Sequence, residues 1–321
     1  MPSVNVNVPG FALTGWGTAL PDKVVTNDDL AATMDTSDQW IRERTGISRR
    51  HIGGSTASLS VESARKAIAM SGIDPTRIDA VVLATTTPDR TVPATSATVQ
   101  NELGLRCGAF DVNAACSGFV YGLTVASGLI AIGARSVLLI GTDTLSRIVD
   151  WTDRNTAILF ADGSGAAVLE ATEGRNDLLA WDIDADGSAE PLLYCEVGGH
   201  IHMDGKEVFR RAVRIMVDSA EKSLQRAGIS IDDIALVVPH QANIRIIESA
   251  CDRLGCPMEK TAINLQETGN TSSASIPLAL FDAADKGRLA KGDLVLMVGF
   301  GAGMTAASAI MRWNGKGLSS R

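Results

Sequence analysis

Short apolar stretches alternate along the chain with longer stretches in which apolar residues recur every three or four positions. The first pattern is typical of buried strands and the second of helices with one buried face. Residues 64–82 combine them: an amphipathic helix ends at Gly72, and an apolar strand follows a short turn. Residues 220–238 repeat this order with Gly228 at the helix end, and Ala, Lys, Gly, two Ile and two Val coincide between the segments.

The repeat extends over most of the chain. In each half a second helix ends in Leu-Gly and is followed by a strand and a helix of small residues. Another strand comes next, and strands around a glycine-rich turn close the half. The matching segments are 103–104 and 254–255, 109–112 and 261–265, 115–131 and 271–284, 136–141 and 294–299, and 158–170 and 296–311. This order predicts parallel sheets covered by helices. We expect an α/β protein of two similar halves, residues 1–172 and 173–321; chance similarity between generic helix–strand units is the alternative.

Composition and charge exclude several classes of protein. Of the 321 residues 45% are hydrophobic, which excludes general disorder. The 29 basic and 37 acidic residues give a net charge of −8, so no overall field attracts nucleic acid or an anionic membrane. Residues 112–134 carry no charge, but they contain Asn, Ser, Thr and glycines. They therefore predict a buried helix rather than a membrane span.

The five cysteines form neither a disulfide framework nor a zinc pattern. Their number is odd, and no Cys-x-x-Cys occurs. This usage predicts a reducing cytoplasm. The first ten residues lack the basic region and apolar stretch of a signal peptide, which predicts the same location. His200 and His202 have no third ligand nearby, so we expect a surface strand there and no metal site.

Two candidate residues stand at ends of predicted strands, where α/β proteins bind ligands, and a third stands at the start of a helix. Cys116 begins the uncharged helix, whose N-terminus should lower the thiol pKa, so we interpret it as a nucleophile rather than a buried structural cysteine. His240 ends an apolar strand; a core histidine is the alternative. Asn270 begins the helix that repeats the Cys116 helix. Alone it is an ordinary N-cap, but the pseudo-symmetry makes it a candidate donor to a developing oxyanion.

Several motifs follow one another along the chain: DVNAACSGF, DWTDRNTAILFADGSGA, VPHQANIRI, GNTSSASIPLAL and GFGAG. Together with TNDDL and TSDQWIRERTGISRRHI near the N-terminus, they closely resemble the 3-oxoacyl-(acyl carrier protein) synthase III family of condensing enzymes. The resemblance covers almost the whole chain. It implies a thiolase-like α/β fold, with two pseudo-symmetric βαβαβαββ halves in α-β-α-β-α layers.

The resemblance also implies a reaction. An acyl-CoA primer would acylate Cys116, and malonyl-acyl carrier protein would then condense with it to start fatty acid synthesis. His240 and Asn270 would hydrogen-bond the malonyl thioester carbonyl while CO2 leaves. No metal or redox cofactor is implied, because loss of CO2 supplies the driving force, and the enzyme would act as a homodimer.

The resemblance assigns further residues around this site. The glycine-rich turn would support an oxyanion hole together with the N–H of the nucleophile; its residues are Phe300, Gly301 and Ala302. In the CoA site, Trp40 and Arg154 would sandwich the adenine, Arg44 would contact polar groups and phosphate, and Asn243 would contact pantetheine. A surface-packed aromatic and solvated charges are the alternatives for these positions.

An acidic carrier protein requires a local basic patch on this acidic chain. Arg245 is the closest match to the docking residue of the family. Arg210, Arg211, Arg214 and Arg253 extend the candidate patch, with ordinary solvated helix charges as the alternative.

Three positions depart from the pattern of the family. Val92 stands where many relatives have an aromatic residue that reaches the acyl pocket of the partner subunit. The segment 186–203 is shorter than in many relatives, and Ala302 and Ala306 alter the glycine-rich turn. We therefore expect a primer longer or more branched than acetyl. A related ketosynthase of a secondary, polyketide-type pathway is the alternative, and a non-catalytic synthase subunit is disfavoured because Cys, His and Asn are all present.

Overall fold

The computed structural model describes residues 9–315. Residues 1–8, part of the segment that lacks a signal-peptide pattern, lie outside this range. In chain order the strands are β1 (Gly10–Ala19), β2 (Val24–Thr26), β3 (Arg49–His51), β4 (Ala80–Ala84), β5 (Gly108–Val112), β6 (Ser136–Thr144), β7 (Asp162–Thr172), β8 (Leu178–Asp184), β9 (Leu193–Cys195), β10 (Ile201–Met203), β11 (Leu236–Pro239), β12 (Leu294–Gly301) and β13 (Thr305–Arg312).

Ten helices of the described residues lie between these strands. They are α1 (Asn27–Ala31), α2 (Asp38–Thr45), α3 (Thr56–Ser71), α4 (Thr95–Glu102), α5 (Gly118–Ala131), α6 (Arg154–Ala157), α7 (Gly205–Ala227), α8 (Ile244–Leu254), α9 (Leu265–Thr268) and α10 (Ser275–Asp285). The two helices of the first repeat, α3 and α7, end at left-handed Gly72 and Gly228 as the sequence predicts.

Two sheets form the centre of the molecule. The first has the strand order β1-β7-β6-β4-β5 and the second has the order β11-β12-β13-β8. Among the strands of residues 9–315, only the β4–β5, β4–β6 and β11–β12 pairs are parallel, so the predicted parallel sheets are in fact mixed. In the second sheet β13 follows β12 after a turn of three residues, 302–304, which is too short for a parallel crossover.

The layers follow the predicted α-β-α-β-α order. Apolar side chains of α5 and α10, such as Phe119, Leu123, Ile276 and Leu280, are buried between the two sheets in one core cluster. Helices α3 and α4 cover the outer face of the first sheet, and α7 and α8 cover that of the second. The thiolase-like fold class is therefore confirmed, and the uncharged stretch around α5 is the buried helix that its composition predicts.

One predicted strand does not form. Within 261–265, Thr261 makes a single parallel bridge to Val237, and α9 begins at Leu265. The two small-residue helices also start later than predicted, because α5 and α10 are each preceded by a 3-10 turn, 115–117 and 272–274. Across residues 9–315 the structure has no helix whose length and apolar content would let it cross a membrane.

Candidate active site

A cavity of about 450 Å³ opens between the two halves of the molecule. Cys116 and Phe160 line it from the first half, and His240, Asn270 and Phe300 line it from the second. The structure therefore brings the three predicted chemical residues to one place: Cys116 follows β5, His240 follows β11 and Asn270 follows α9.

Cys116 lies on the tight turn between β5 and α5. The preceding residue, Ala115, has a left-handed backbone with φ 47°, which is uncommon for a residue with a side chain. The end of β12 packs directly against this turn: a Cβ on Gly301 would lie 2.6 Å from the Cys116 nitrogen. Only glycine allows this approach, so Gly301 fixes the distance between the nucleophile turn and the glycine-rich turn.

Burial raises the pKa of the half-buried Cys116 thiol to about 12. A hydrogen bond with Ser272 acts in the opposite direction and Asp143 adds to the increase. The predicted lowering of the pKa by the helix N-terminus is therefore wrong for the resting cavity. The reason is that burial removes water from the sulfur, and desolvation penalises the thiolate.

His240 is buried, and its Nδ1 lies 2.6 Å from the Oγ of Ser275. The same Oγ accepts a hydrogen bond of 3.4 Å from the Gln241 N–H, so the Ser275 hydroxyl proton is available to Nδ1. The ring of Phe300 meets the imidazole edge-on at 5.4 Å. Burial lowers the pKa of His240 to about 3, so the imidazole is neutral near pH 7.

Asn270 is buried, and its backbone bridges to Phe160 of the first half. Its Oδ1 accepts a hydrogen bond of 2.9 Å from the Ser272 N–H, which leaves Nδ2 as the donor for a ligand. Asn270 is not the N-cap of α10: that position is held by Ala274, four residues later. The ordinary-cap interpretation is therefore wrong, because a 3-10 turn separates Asn270 from the helix.

The three residues assigned to adenine and phosphate contacts form one cluster beside the cavity. The guanidinium carbons of Arg44 and Arg154 lie 4.5 Å and 4.7 Å from the centroid of the Trp40 ring. These are direct cation–π distances. Because Arg154 already contacts Trp40, an adenine can enter between them only if the arginine moves aside.

Asn243 connects this cluster to α8. Its Oδ1 accepts a hydrogen bond of 2.9 Å from the Arg245 N–H and caps the helix, while its Nδ2 donates to the Arg44 carbonyl oxygen at 2.9 Å. Arg44, Asn243 and Arg245 all line the cavity. The amide of Asn243 therefore holds the end of α2 against the start of α8.

Two arginines of the candidate basic patch have acidic partners. Arg210 pairs with Glu207 at 2.7 Å and Arg211 with Asp186 at 3.4 Å. These pairs reduce the positive charge that α7 presents.

The remaining arginines of the patch are exposed on α7 and α8. Arg245 stacks its guanidinium 5.8 Å from the centroid of the Phe209 ring at the edge of the cavity. Arg214 and Arg253 are exposed as well, and among residues 9–315 none of these three forms a salt bridge.

The residues that depart from the family pattern lie in three different settings. Val92 is 81% exposed and does not touch the cavity of its own chain. The segment 186–203 forms a 3-10 helix and the β9–β10 hairpin, from which Leu193 and Met203 line the cavity. Ala302 begins the 3-10 turn after β12, and Ala306 is buried in β13.

Sequence reasoning missed several residues of the site. Ser275 contacts His240, and apolar Phe160, Leu193 and Phe209 line the cavity. The only signal for Ser275 was its place in GNTSSASIPLAL, where a serine among small residues indicates close packing. The apolar lining comes from segments far apart in sequence, so no local pattern marks it.

The described residues contain no cluster of potential metal ligands, and His202 lies in β10 with its ring stacked on Tyr194.

Comparisons with known proteins find family models, sequence relatives and solved structures that match this chain. The family model of 3-oxoacyl-(acyl-carrier-protein) synthase III matches residues 110–187, and that of its C-terminal part matches residues 224–313. The chain is 47% identical to beta-ketoacyl-(acyl-carrier-protein) synthase III of Roseiflexus castenholzii, over 94% of the chain and 98% of the relative.

Two solved structures have the same architecture over nearly their whole length. 3-Oxoacyl-(acyl-carrier-protein) synthase III from Aquifex aeolicus superposes with a TM-score of 0.93 at 42% identity, covering 95% of this chain and 100% of that one. The priming beta-ketosynthase from the R1128 polyketide biosynthetic pathway gives a TM-score of 0.91 at 34% identity, covering 98% and 99%.

Proposed function

Since the chain belongs to the 3-oxoacyl-(acyl-carrier-protein) synthase III family, and so to the condensing acyltransferases, we propose that it joins an acyl-CoA primer to malonyl-acyl carrier protein and thereby initiates fatty acid synthesis. The observation that carries this proposal is the shared cavity, in which a thiol, a neutral imidazole and a carboxamide meet from both halves. A thiol can hold an acyl group as a thioester, and the other two can donate hydrogen bonds to a thioester oxygen.

The first half-reaction transfers the acyl group to Cys116. The thiol attacks the thioester carbonyl of acyl-CoA, the new C–S bond forms, and the bond to CoA breaks. Because burial keeps the thiol protonated at rest, its proton must leave during the attack. The neutral imidazole of His240 can accept this proton and return it to the departing CoA thiolate.

The second half-reaction forms the new C–C bond. Malonyl-acyl carrier protein loses CO2, and the electron pair moves onto the thioester carbonyl as an enolate. His240 Nε2–H and Asn270 Nδ2–H stabilise the enolate oxygen. The carbanion attacks the Cys116 thioester, 3-oxoacyl-acyl carrier protein forms, and the Cys116 thiolate leaves and regains a proton. The Ser275 hydroxyl can donate to or accept from Nδ1, so it serves both protonation patterns of the imidazole.

No step of this sequence needs a metal or a redox cofactor, because loss of CO2 drives the condensation. Acyl-CoA would lie along the cluster of Trp40, Arg44 and Arg154, with Asn243 near its pantetheine, and the oxyanion of the attacked thioester would face the N–H of Cys116 and the turn at Ala302. The free thiols of the protein favour the cytoplasm as its location.

The homodimer would form along the open edge of the first sheet. Strand β5 ends that sheet, and its Phe110 is 37% exposed. An unpaired edge with an exposed aromatic residue is a template for a second strand. The exposed Val92 would then face the partner, where a small side chain leaves room for a primer longer or more branched than acetyl.

A second candidate function is priming of a polyketide-type pathway. Similarity to the R1128 priming beta-ketosynthase favours it, as do the departures at Val92 and at 186–203. Both candidates use the same cavity and chemistry, and they differ in the primer and the acceptor.

One experiment tests the function and the primer preference. The protein is incubated with acetyl-, butyryl-, isobutyryl- and hexanoyl-CoA, and intact mass spectrometry follows an added acyl group and its discharge by malonyl-acyl carrier protein. We expect an adduct that Cys195→Ser retains and that Cys116→Ala lacks. Preference for acetyl over every longer primer would contradict the Val92 interpretation, and an adduct on another residue would contradict the proposed function.

A further inference from the structure

The turns that carry Cys116 and Asn270 are copies of each other. In one, the Ala115 N–H donates to the Asn113 Oδ1 at 3.3 Å; in the other, the Ser272 N–H donates to the Asn270 Oδ1 at 2.9 Å. The donor residues of both turns have a left-handed backbone, with φ 47° and 50°. A 3-10 turn and a buried helix follow in each case. The residues after the left-handed positions, Cys116 and Ser273, are therefore counterparts.

The strands that approach these turns are also counterparts. Val82 of β4 pairs with Leu139 of β6, and Val238 of β11 pairs with Met297 of β12. The sequence repeat matches Val82 with Val238. Leu139 and Met297 therefore hold the same place in β6 and β12.

Four residues after Leu139 and Met297, the two strands place different residues against their turns. Strand β6 presents Asp143, whose Oδ2 accepts hydrogen bonds from Ser273 N–H at 3.0 Å and Oγ–H at 2.7 Å. Strand β12 presents Gly301, which has no side chain and lies against the N–H of Cys116. One turn thus binds a carboxylate of its own protein, while its copy faces a glycine at the corresponding place.

The Asp143 carboxylate is fully buried and connects the halves. Its Oδ1 accepts hydrogen bonds from the Thr85 hydroxyl at 3.1 Å, from the Thr86 N–H and hydroxyl at 2.7 and 2.9 Å, and from the Thr87 N–H and hydroxyl at 3.2 and 3.0 Å. No salt bridge of residues 9–315 includes it. Donors from the first half hold one oxygen and donors from the Asn270 turn hold the other, so the carboxylate clamps that turn onto the first half.

We propose that Asp143 is a positioning residue for the malonyl half-reaction: it fixes the Asn270 turn, and with it the amide that stabilises the enolate. This proposal rests on the proposed function. Cys116 belongs to the other turn, which packs against Gly301, and it contacts the clamped turn through the hydrogen bond between its thiol and Ser272, whereas the Asn270 amide is part of the clamped turn itself. Loss of the clamp should therefore slow decarboxylation and condensation more than acylation of Cys116.

The change Asp143→Asn tests this separation. It keeps the size of the side chain. The NH2 group of asparagine cannot accept a hydrogen bond, so the variant loses its bonds either to the donors of Ser273 or to those of Thr85 to Thr87. We expect condensation with malonyl-acyl carrier protein to fall by about tenfold or more, because small displacements of a catalytic group have large effects. The single-turnover rate of Cys116 acylation should stay within about threefold of the unchanged protein.

Two further variants complete the test. Asp182→Asn removes another buried carboxylate, bonded to Ser219 and Arg226 in the second half, and should affect both half-reactions equally. Ser273→Ala removes one hydroxyl donor and preserves the carboxylate, so it keeps the test valid if Asp143→Asn does not fold. It should slow condensation by about threefold without slowing acylation.

The outcomes distinguish this proposal from the proposed function. The positioning role is supported if Asp143→Asn loses condensation but retains acylation. If Asp143→Asn does not fold, the same selective loss in Ser273→Ala supports it. Equal loss of both half-reactions, or no loss in either, overturns it while the unchanged protein still condenses. If the unchanged protein neither forms the adduct nor condenses, the proposed function fails, and this proposal fails with it.

Discussion

Burial shifts the pKa values of two cavity residues in opposite directions. The pKa of the Cys116 thiol rises to about 12 and that of the His240 imidazole falls to about 3. Both shifts favour the uncharged form, because a bare charge in this cavity loses its hydration. Near neutral pH the resting site therefore holds a thiol beside a neutral imidazole rather than a thiolate–imidazolium pair.

This state predicts how the reactivity of Cys116 depends on pH. With a pKa near 12, the thiolate fraction should increase about tenfold per pH unit between about pH 7 and about pH 10. The rate of alkylation by iodoacetamide should increase in the same proportion, without a plateau. Mass spectrometry of the peptide that contains Cys116 measures this rate separately from that of the exposed Cys195.

Cys195 serves as the internal control for this measurement, because any effect of pH on the reagent changes both peptides. A plateau for Cys116 near pH 7 would contradict the proposed resting state and restore the interpretation that the helix N-terminus lowers its pKa.

The sequence located this cysteine correctly at a strand-to-helix turn. It could not give the pKa, because the burial that desolvates the thiol arises in a cavity lined by residues distant in sequence, such as His240 and Phe300.

At the scale of elements, the sequence predicted what depends on local pattern. The helix ends at Gly72 and Gly228 and the central strands β6 and β12 are where the repeat places them. The strand expected at 261–265 fails because a strand depends on a partner along its length, and the chain turns into α9 at Leu265. Apolar residues in a short run cannot distinguish a strand from a buried turn.

The cap of α8 carries a prediction at this scale. Asn243→Ala removes the side-chain cap and the hydrogen bond to the Arg44 carbonyl oxygen. Loss of the cap should lower the free energy of unfolding by about 1 kcal/mol. Loss of the tether should also raise KM for acyl-CoA, because Arg44 and Trp40 move together on α2. Urea unfolding and initial-rate kinetics measure the two effects.

A second cap provides the matched control. Ser55 caps α3 by accepting from the Ser58 N–H, and α3 lies on the outer face of the first sheet, away from the cavity. Ser55→Ala should lower stability by a similar amount and leave KM for acyl-CoA unchanged. If both variants raised KM equally, the effect would reflect lower stability and the tether would have no role in binding.

At the scale of the whole molecule, a net charge of −8 must coexist with docking of an acidic carrier. The sequence supplied the arginines but not their partners in space. The pair of Arg210 with Glu207, three residues apart on α7, could be expected from spacing. The pair of Arg211 with Asp186 joins distant segments and could not. We therefore expect docking to depend mainly on the exposed arginines without such partners.

Arg245 is the best-placed of these, because it lies at the edge of the cavity and is supported by Phe209. Arg245→Glu reverses a charge that an acidic carrier would meet, so KM for malonyl-acyl carrier protein should rise by about tenfold or more. Acylation of Cys116 by acyl-CoA should change little. Arg210→Glu is the control and should have a smaller effect, because Glu207 already offsets that charge.

Salt gives this prediction a second measurement. The screening length shortens from about 10 Å at 0.1 M to about 3 Å at 1 M ionic strength. If the charge of Arg245 acts by attracting the carrier, added salt should raise KM of the unchanged protein toward that of the variant. A difference that persists at high salt, or equal loss of acylation and condensation, would instead place Arg245 inside the cavity chemistry. The acidic enzyme would then have to bind its acidic carrier through another surface.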